Sequence, residues 1–106
     1  MSELVTVIAS KDDFEAQTRE GVVLVDFFAP WCGPCRMQSP ILEAVAQKAG
    51  QTARICKINT DELPDVAGSF NVSSIPTLVL LKNGKEVNRF VGVQQENDLL
   101  NAIRAV

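Results

Sequence analysis

Residues 22–35 read Val-Val-Leu-Val-Asp-Phe-Phe-Ala-Pro-Trp-Cys-Gly-Pro-Cys, and this segment predicts the centre of the fold. The run Val22–Phe28 is almost entirely apolar and rich in β-branched residues, which is typical of a strand covered on both faces in a parallel or mixed sheet. Its one exception is Asp26. A long helix is predicted to begin near Cys32 and to end at Gly50, so a buried strand should lead almost directly into a helix.

The remaining segments complete a βαβαβαββα order. Further strands are predicted at Leu4–Ala9, Ala53–Asn59, Thr77–Leu81 and Val87–Val91. Helices are predicted from the capping residue Ser10 to Thr18, over Leu63–Phe70, and along the apolar stripe Leu99, Leu100, Ile103 and Val106. The fold class is α/β, with a central mixed sheet of about five strands flanked by about four helices. Strands joined by helices should be parallel, and the Asn83-Gly84 hairpin should add an antiparallel edge.

Composition limits the classes of function. The 106 residues contain no internal repeat or linker, which indicates one domain over residues 1–106. The net charge is −3 with scattered basic residues, so neither nucleic acid nor a membrane is an expected partner. The first residues have no apolar segment of signal-peptide length, and no apolar run reaches the roughly 18 residues of a membrane span. A cytoplasmic protein is expected.

Cys32 and Cys35 form a Cys-x-x-Cys pair that predicts redox chemistry. On a helix that begins at Cys32, positions i and i+3 share a face with Cβ atoms roughly 5 to 6 Å apart, close to disulfide geometry. Pro34 fits the first turn, where an N–H has no intrahelical acceptor. The helix start favours a thiolate at Cys32, which predicts Cys32 as the nucleophile and Cys35 as the resolving thiol.

Other chemistry is restricted by the residue types present. The sequence has no histidine, which excludes Ser-His-Asp and Cys-His machinery and histidine-ligated metals. Half of a zinc site would have the same Cys-x-x-Cys motif, but the remaining ligands would have to come from Cys56 and a carboxylate. We therefore expect no metal and no cofactor. Cys56 is predicted to be an inert, buried strand residue.

Several spaced segments carry a family resemblance: Val25-Asp26-Phe27, Ala29-Pro30-Trp31-Cys32-Gly33-Pro34-Cys35, Pro40, Ile75-Pro76-Thr77, Asn83-Gly84 and Gly92. With these, essentially the whole chain resembles the thioredoxin family. The resemblance implies the thioredoxin fold and a general protein dithiol–disulfide oxidoreductase that works through a mixed disulfide. It places Trp31, Gly33 and Pro34 in the active-site loop. The implied partners are thioredoxin reductase and proteins with disulfides, and the chain is expected to be a monomer without a bound cofactor.

The resemblance also implies a role for Asp26. In the family this residue is a buried carboxyl beneath the active-site helix that assists proton transfer to and from the inner cysteine, here Cys35, and Lys57 lies near it. A carboxyl in an apolar strand is costly to ionise, so its pKa should be raised. From the residues alone, Asp26 could instead reach solvent at a strand end, and Lys57 could be an exposed lysine without a catalytic part.

Substrate docking is implied for Trp31, Ile75, Pro76 and Gly92. Pro76 resembles the family's cis-proline, which faces the cysteine pair and helps to seat the substrate backbone against the Ile75 segment. The sequence alone favours an ordinary trans proline at a strand start, because most X-Pro bonds are trans, and only the resemblance reverses this expectation. Trp31 could serve packing as well as docking.

Two positions depart from the family pattern. Phe28 stands where a tryptophan is common, and Arg36 stands where lysine is usual. Phe28 keeps an aromatic ring and Arg36 keeps a positive charge, so activity is still expected. Two rival functions remain: a disulfide oxidant or isomerase of the same fold, and a non-catalytic binding module. Gly-Pro between the cysteines resembles the reducing members, and the joint presence of the cysteines, Asp26 and Pro76 disfavours a binding module.

Overall fold

Five strands and four helices follow the predicted order in the computed structural model of the protein, which describes residues 4–106. The strands are β1 (Val5–Val7), β2 (Val22–Phe28), β3 (Arg54–Asn59), β4 (Thr77–Lys82) and β5 (Lys85–Val91). The helices are α1 (Lys11–Thr18), α2 (Gly33–Ala49), α3 (Pro64–Ser69) and α4 (Glu96–Arg104), with a 3₁₀ turn at Gly50–Thr52. The predicted α/β class and mixed sheet are confirmed. Residues 1–3 of the predicted domain lie outside the described residues.

The sheet has the order β1-β3-β2-β4-β5, so β2 lies at its centre. β1 and β2 are both parallel to β3, while β4 is antiparallel to β2 and to β5. Side chains alternate between the two faces of a strand. On β2, Leu24 packs in the apolar layer with α2 and α4, whereas Val23, Val25 and Phe27 pack in the layer with α1 and α3. Apolar contacts on both faces explain why β2 is an uninterrupted apolar run apart from one carboxyl.

The direction of β4 corrects the prediction that helix-joined strands are parallel. β4 follows β3 through α3 but runs antiparallel to β2, with Thr77 opposite Phe27. A helix of six residues is about 9 Å long, less than half the roughly 20 Å of a six-residue strand, so α3 does not return the chain to the far end of the sheet. β4 therefore starts where β2 ends, which brings Pro76 toward the cysteine pair.

The end of α4 corrects a second expectation. Leu99, Leu100 and Ile103 are buried as predicted, but Val106 is 38% exposed and lies beyond the helix. The helix ends at Arg104, so Val106 no longer follows the helical spacing of the apolar stripe. The apolar face of α4 is thus limited to the residues that pack against α2.

Candidate active site

The cysteine pair lies at the first turn of α2. Cys32 precedes the helix in extended conformation, and Gly33 and Pro34 are its first two residues. Cys32 and Cys35 are joined by a disulfide with Cα atoms 5.3 Å apart, and both are buried. The backbone N–H of Cys35 donates to Cys32 Sγ at 3.2 Å. This bond and the positive end of the helix stabilise negative charge on Cys32 once the disulfide is reduced.

The segment before β4 faces this pair. The Ile75–Pro76 peptide bond is cis, as the resemblance implied. The carbonyl oxygen of Ile75 lies 3.7 Å from Cys32 Sγ, and the carbonyl oxygen of Pro76 accepts a hydrogen bond from Gly92 N–H at 2.8 Å. Gly92 has a φ of +90°, a conformation that strains residues with a Cβ. The structure thus brings Ile75, Pro76 and Gly92 together beside Cys32.

Trp31 flanks the pair on the solvent side. It is 67% exposed, and its indole Nε1 donates to Asp61 Oδ2 at 2.9 Å. A large aromatic side chain that is held in place and still exposed offers an apolar contact surface. Asp61, which the sequence reasoning missed, positions the ring. Its partner is 30 positions away in the chain, so no local pattern could have indicated it.

Asp26 is fully buried on β2, and neither of its carboxyl oxygens has a hydrogen-bond partner among the residues that the structure describes. Burial raises the pKa of Asp26 from 3.8 to about 7, and the positive charge of Lys57 opposes this rise only in part. Lys57 lies opposite Asp26 on the parallel strand β3. The solvent-reaching alternative for Asp26 is therefore wrong.

Lys57 is held by contacts of its own. Its Nζ donates to Ser39 Oγ at 3.1 Å and lies 4.6 Å from the centre of the Phe28 ring. A cavity of about 140 Å³ adjoins these groups, lined by Phe28, Ala29, Pro30, Cys35, Arg36, Ser39 and Lys57. Cys35 and Lys57 thus share one cavity. A larger cleft of about 470 Å³ at Gly21 and Gly50 holds none of the predicted site residues.

Cys56 is separated from the pair by the sheet. Its side chain is fully buried in the apolar layer with Phe14 and Val66, on the face opposite α2. Burial raises the pKa of the Cys56 thiol to about 12, so it is not a thiolate at neutral pH. Within residues 4–106, no three His, Cys, Asp or Glu side chains lie close enough together to hold a metal ion. In the same part of the chain, no helix is both long and apolar enough to cross a membrane.

The three thiols are expected to differ in their rate of alkylation. In the reduced protein at pH 7, iodoacetamide should modify Cys32 much faster than Cys35 or Cys56, because the thiolate is the reactive form and only Cys32 accepts the Cys35 N–H at the helix start. Peptide mapping by mass spectrometry over a time course measures the three rates. Equal labelling of all three cysteines would contradict the assignment of Cys32 as the nucleophile.

Two neighbouring thiols that close into a disulfide at a helix start exchange electrons with other disulfides, and on this scaffold they define a dithiol–disulfide oxidoreductase. The thioredoxin family model matches residues 5–105. The chain belongs to the thioredoxin family, whose members are oxidoreductases of protein disulfides.

Individual relatives cover most of the chain. A thioredoxin from Bacillus subtilis is 48% identical over 93 residues, which are 88% of this chain and 89% of that protein. A thioredoxin from Chlamydia pneumoniae is 50% identical over 96 residues, covering 91% and 93%. Among solved structures, a mutant thioredoxin from Halobacterium salinarum superposes with a TM-score of 0.88 at 35% identity, covering 95% of this chain and 88% of that one.

Proposed function

We propose that Cys32 attacks disulfides of other proteins and that Cys35 resolves the mixed disulfide. The observation that carries this proposal is the hydrogen bond from Cys35 N–H to Cys32 Sγ at the helix start, because it stabilises a thiolate on the outer cysteine of the pair. The Cα separation of 5.3 Å keeps the second sulfur within reach of the first.

The proposed cycle balances in electrons and protons. The Cys32 thiolate attacks one sulfur of the target disulfide, a Cys32–target bond forms, and the other target sulfur leaves as a thiolate and takes up a proton. Cys35 then loses its proton and attacks Cys32 Sγ, which releases the second target sulfur as a thiolate that also takes up a proton. The target gains two electrons and two protons, and the protein is left with its Cys32–Cys35 disulfide.

Asp26 is proposed as the group that takes the proton from Cys35. It lies on the sheet face covered by α2, the helix that carries Cys35. Its carboxyl oxygens accept no hydrogen bond from residues 4–106 and are therefore available to accept a proton. A base works best when its pKa is near the working pH, and the pKa of about 7 at Asp26 meets this condition. Lys57, which shares a cavity with Cys35, is proposed to stabilise the carboxylate that Asp26 becomes when ionised.

Target docking is proposed at the rim formed by Trp31, Ile75, Pro76 and Gly92. The backbone of Ile75 lies next to Cys32 Sγ, so an extended target segment that pairs with it would present its sulfur to Cys32. The exposed indole of Trp31 supports an apolar contact with the same segment.

Recharging requires an external electron donor, for which we propose thioredoxin reductase as the partner. The two thiols themselves carry both electrons, so the cycle needs no cofactor bound to this chain. A reducing pair of this kind works in a compartment that keeps thiols reduced, which supports a cytoplasmic location. We further propose that residues 1–106 act as one domain and as a monomer.

Insulin reduction tests the proposed function. With dithiothreitol as the electron donor, catalytic amounts of the protein should shorten the lag before the insulin B chain precipitates. A binding module would leave the lag unchanged. An oxidant or isomerase would instead accelerate the refolding of reduced ribonuclease, in the absence of a redox buffer, more strongly than it reduces insulin. An unchanged lag or such a preference for ribonuclease refolding would contradict the proposal.

A further inference from the structure

Gln38 is a fully buried polar side chain in the middle of the apolar face of α2. Both ends of its amide are bonded to the backbone of one residue in the loop between β5 and α4. Its Oε1 accepts from Gln94 N–H at 2.7 Å, and its Nε2 donates to the Gln94 carbonyl oxygen at 3.0 Å. Burying an amide is unfavourable unless it is bonded in this way. The pair of bonds therefore clamps the loop to the active-site helix.

The clamped loop leads back to the cysteine pair. The side chain of Gln94 donates to the carbonyl oxygen of Gly92 at 3.2 Å, and Gly92 N–H donates to Pro76 O at 2.8 Å. The neighbouring carbonyl oxygen of Ile75 lies 3.7 Å from Cys32 Sγ. Starting from α2, a continuous set of contacts thus runs through the loop and the cis-proline segment and returns to the sulfur at the start of the same helix.

We propose that Gln38 is a positioning residue for target docking: its amide holds the loop at Gly92 against the segment of Pro76, so that the docking rim keeps its place beside Cys32. This inference rests on the proposed function. Both hydrogen bonds of the Gln38 amide within residues 4–106 are to Gln94, so its removal should affect the binding of a large target rather than the reactivity of the thiols.

The test replaces Gln38 by Leu and, as a matched control, Gln47 by Leu. Gln47 is exposed on the same helix, so the control makes the same chemical change without touching the loop. Initial rates at increasing insulin concentration should give a KM about fivefold higher for Gln38→Leu, the equivalent of about one lost hydrogen bond, with kcat close to native. The rate of Cys32 alkylation by iodoacetamide should be unchanged, because this small reagent does not use the rim.

Hydrogen exchange provides an independent readout. The Gln94 amide should exchange faster in Gln38→Leu than in the native protein, since it has lost its acceptor. Gln38→Met, with a flexible side chain of similar length, should give the same results as Gln38→Leu. It replaces Gln38→Leu in these measurements if that variant folds poorly.

The two possible failures are distinguishable. A native protein that does not reduce insulin would overturn the proposed function. If the native protein reduces insulin, the positioning role alone can still fail. It would be overturned by Gln38 variants that keep the native KM, or by Gln38 variants whose Cys32 is alkylated more slowly.

Discussion

At pH 8 the Asp26→Asn variant is expected to be more stable than the native protein by up to about 4 kcal/mol. In the native fold, burial raises the pKa of Asp26 from 3.8 to about 7, and each unit corresponds to about 1.4 kcal/mol of differential stability. Asn has nearly the same shape as the protonated carboxyl, so the substitution leaves no cavity. It removes a buried charge that folding disfavours.

The pH dependence of this effect has a definite sign. Between pH 3.8 and about 7 the folded state binds the proton and the unfolded state does not, so native stability falls as pH rises through this window. Above a pH of about 7 the ionised Asp26 lowers the stability of the native protein by the full amount. Below pH 3.8 the Asp26→Asn variant is expected to be no more stable than the native protein. Urea titrations at pH 3.5 and pH 8 measure the difference, with Asp65→Asn, at an exposed position, as a control expected to stay within about 0.5 kcal/mol of native.

The same Asp26→Asn variant is expected to reduce insulin more slowly than the native protein. The reason is that Cys35 loses its proposed proton acceptor, and the second step of the cycle depends on that transfer. Higher stability combined with lower activity is the signature of a group kept for function. A variant that is less stable at pH 8, or one with undiminished insulin reduction, would contradict the role of Asp26.

Replacing Cys32 by Ser is expected to reduce the rate of insulin reduction to that of dithiothreitol alone. A serine hydroxyl is not ionised at neutral pH and cannot form a disulfide with either the target or Cys35. The matched control is Cys56→Ala, which removes a thiol that is buried on the opposite face of the sheet and should keep activity near native. Activity retained by Cys32→Ser, or lost in Cys56→Ala, would contradict the assignment of the reactive thiol.

Strong local patterns made much of this site predictable. The apolar run of β2 identified a central strand and made Asp26 conspicuous, and the Cys-x-x-Cys spacing with Pro34 identified a thiol pair at a helix start. The cis state of the Ile75–Pro76 bond and the neighbourhood of Gly92 came from the family resemblance, since no spacing rule brings two distant segments together.

The features that were missed depend on long-range contacts. The direction of β4 followed from the shortness of α3, which a helix pattern alone does not convert into a strand orientation. The partners of Gln38 and Ser39 lie 56 and 18 positions away along the chain. A signal was present for Gln38, because a polar residue stands one turn before Leu42 on the apolar face of a helix, where burial requires a specific partner.

The central claim, that Cys32 attacks a target disulfide and Cys35 resolves the adduct, is tested most directly by trapping with Cys35→Ser. Without the resolving thiol, the reduced variant mixed with insulin should accumulate a mixed disulfide, visible by intact-mass spectrometry as one protein joined to one insulin chain. Peptide mapping should locate the bond at Cys32, and dithiothreitol should release it. An adduct at Cys56, or no adduct in a variant that is folded and reduced, would contradict the account.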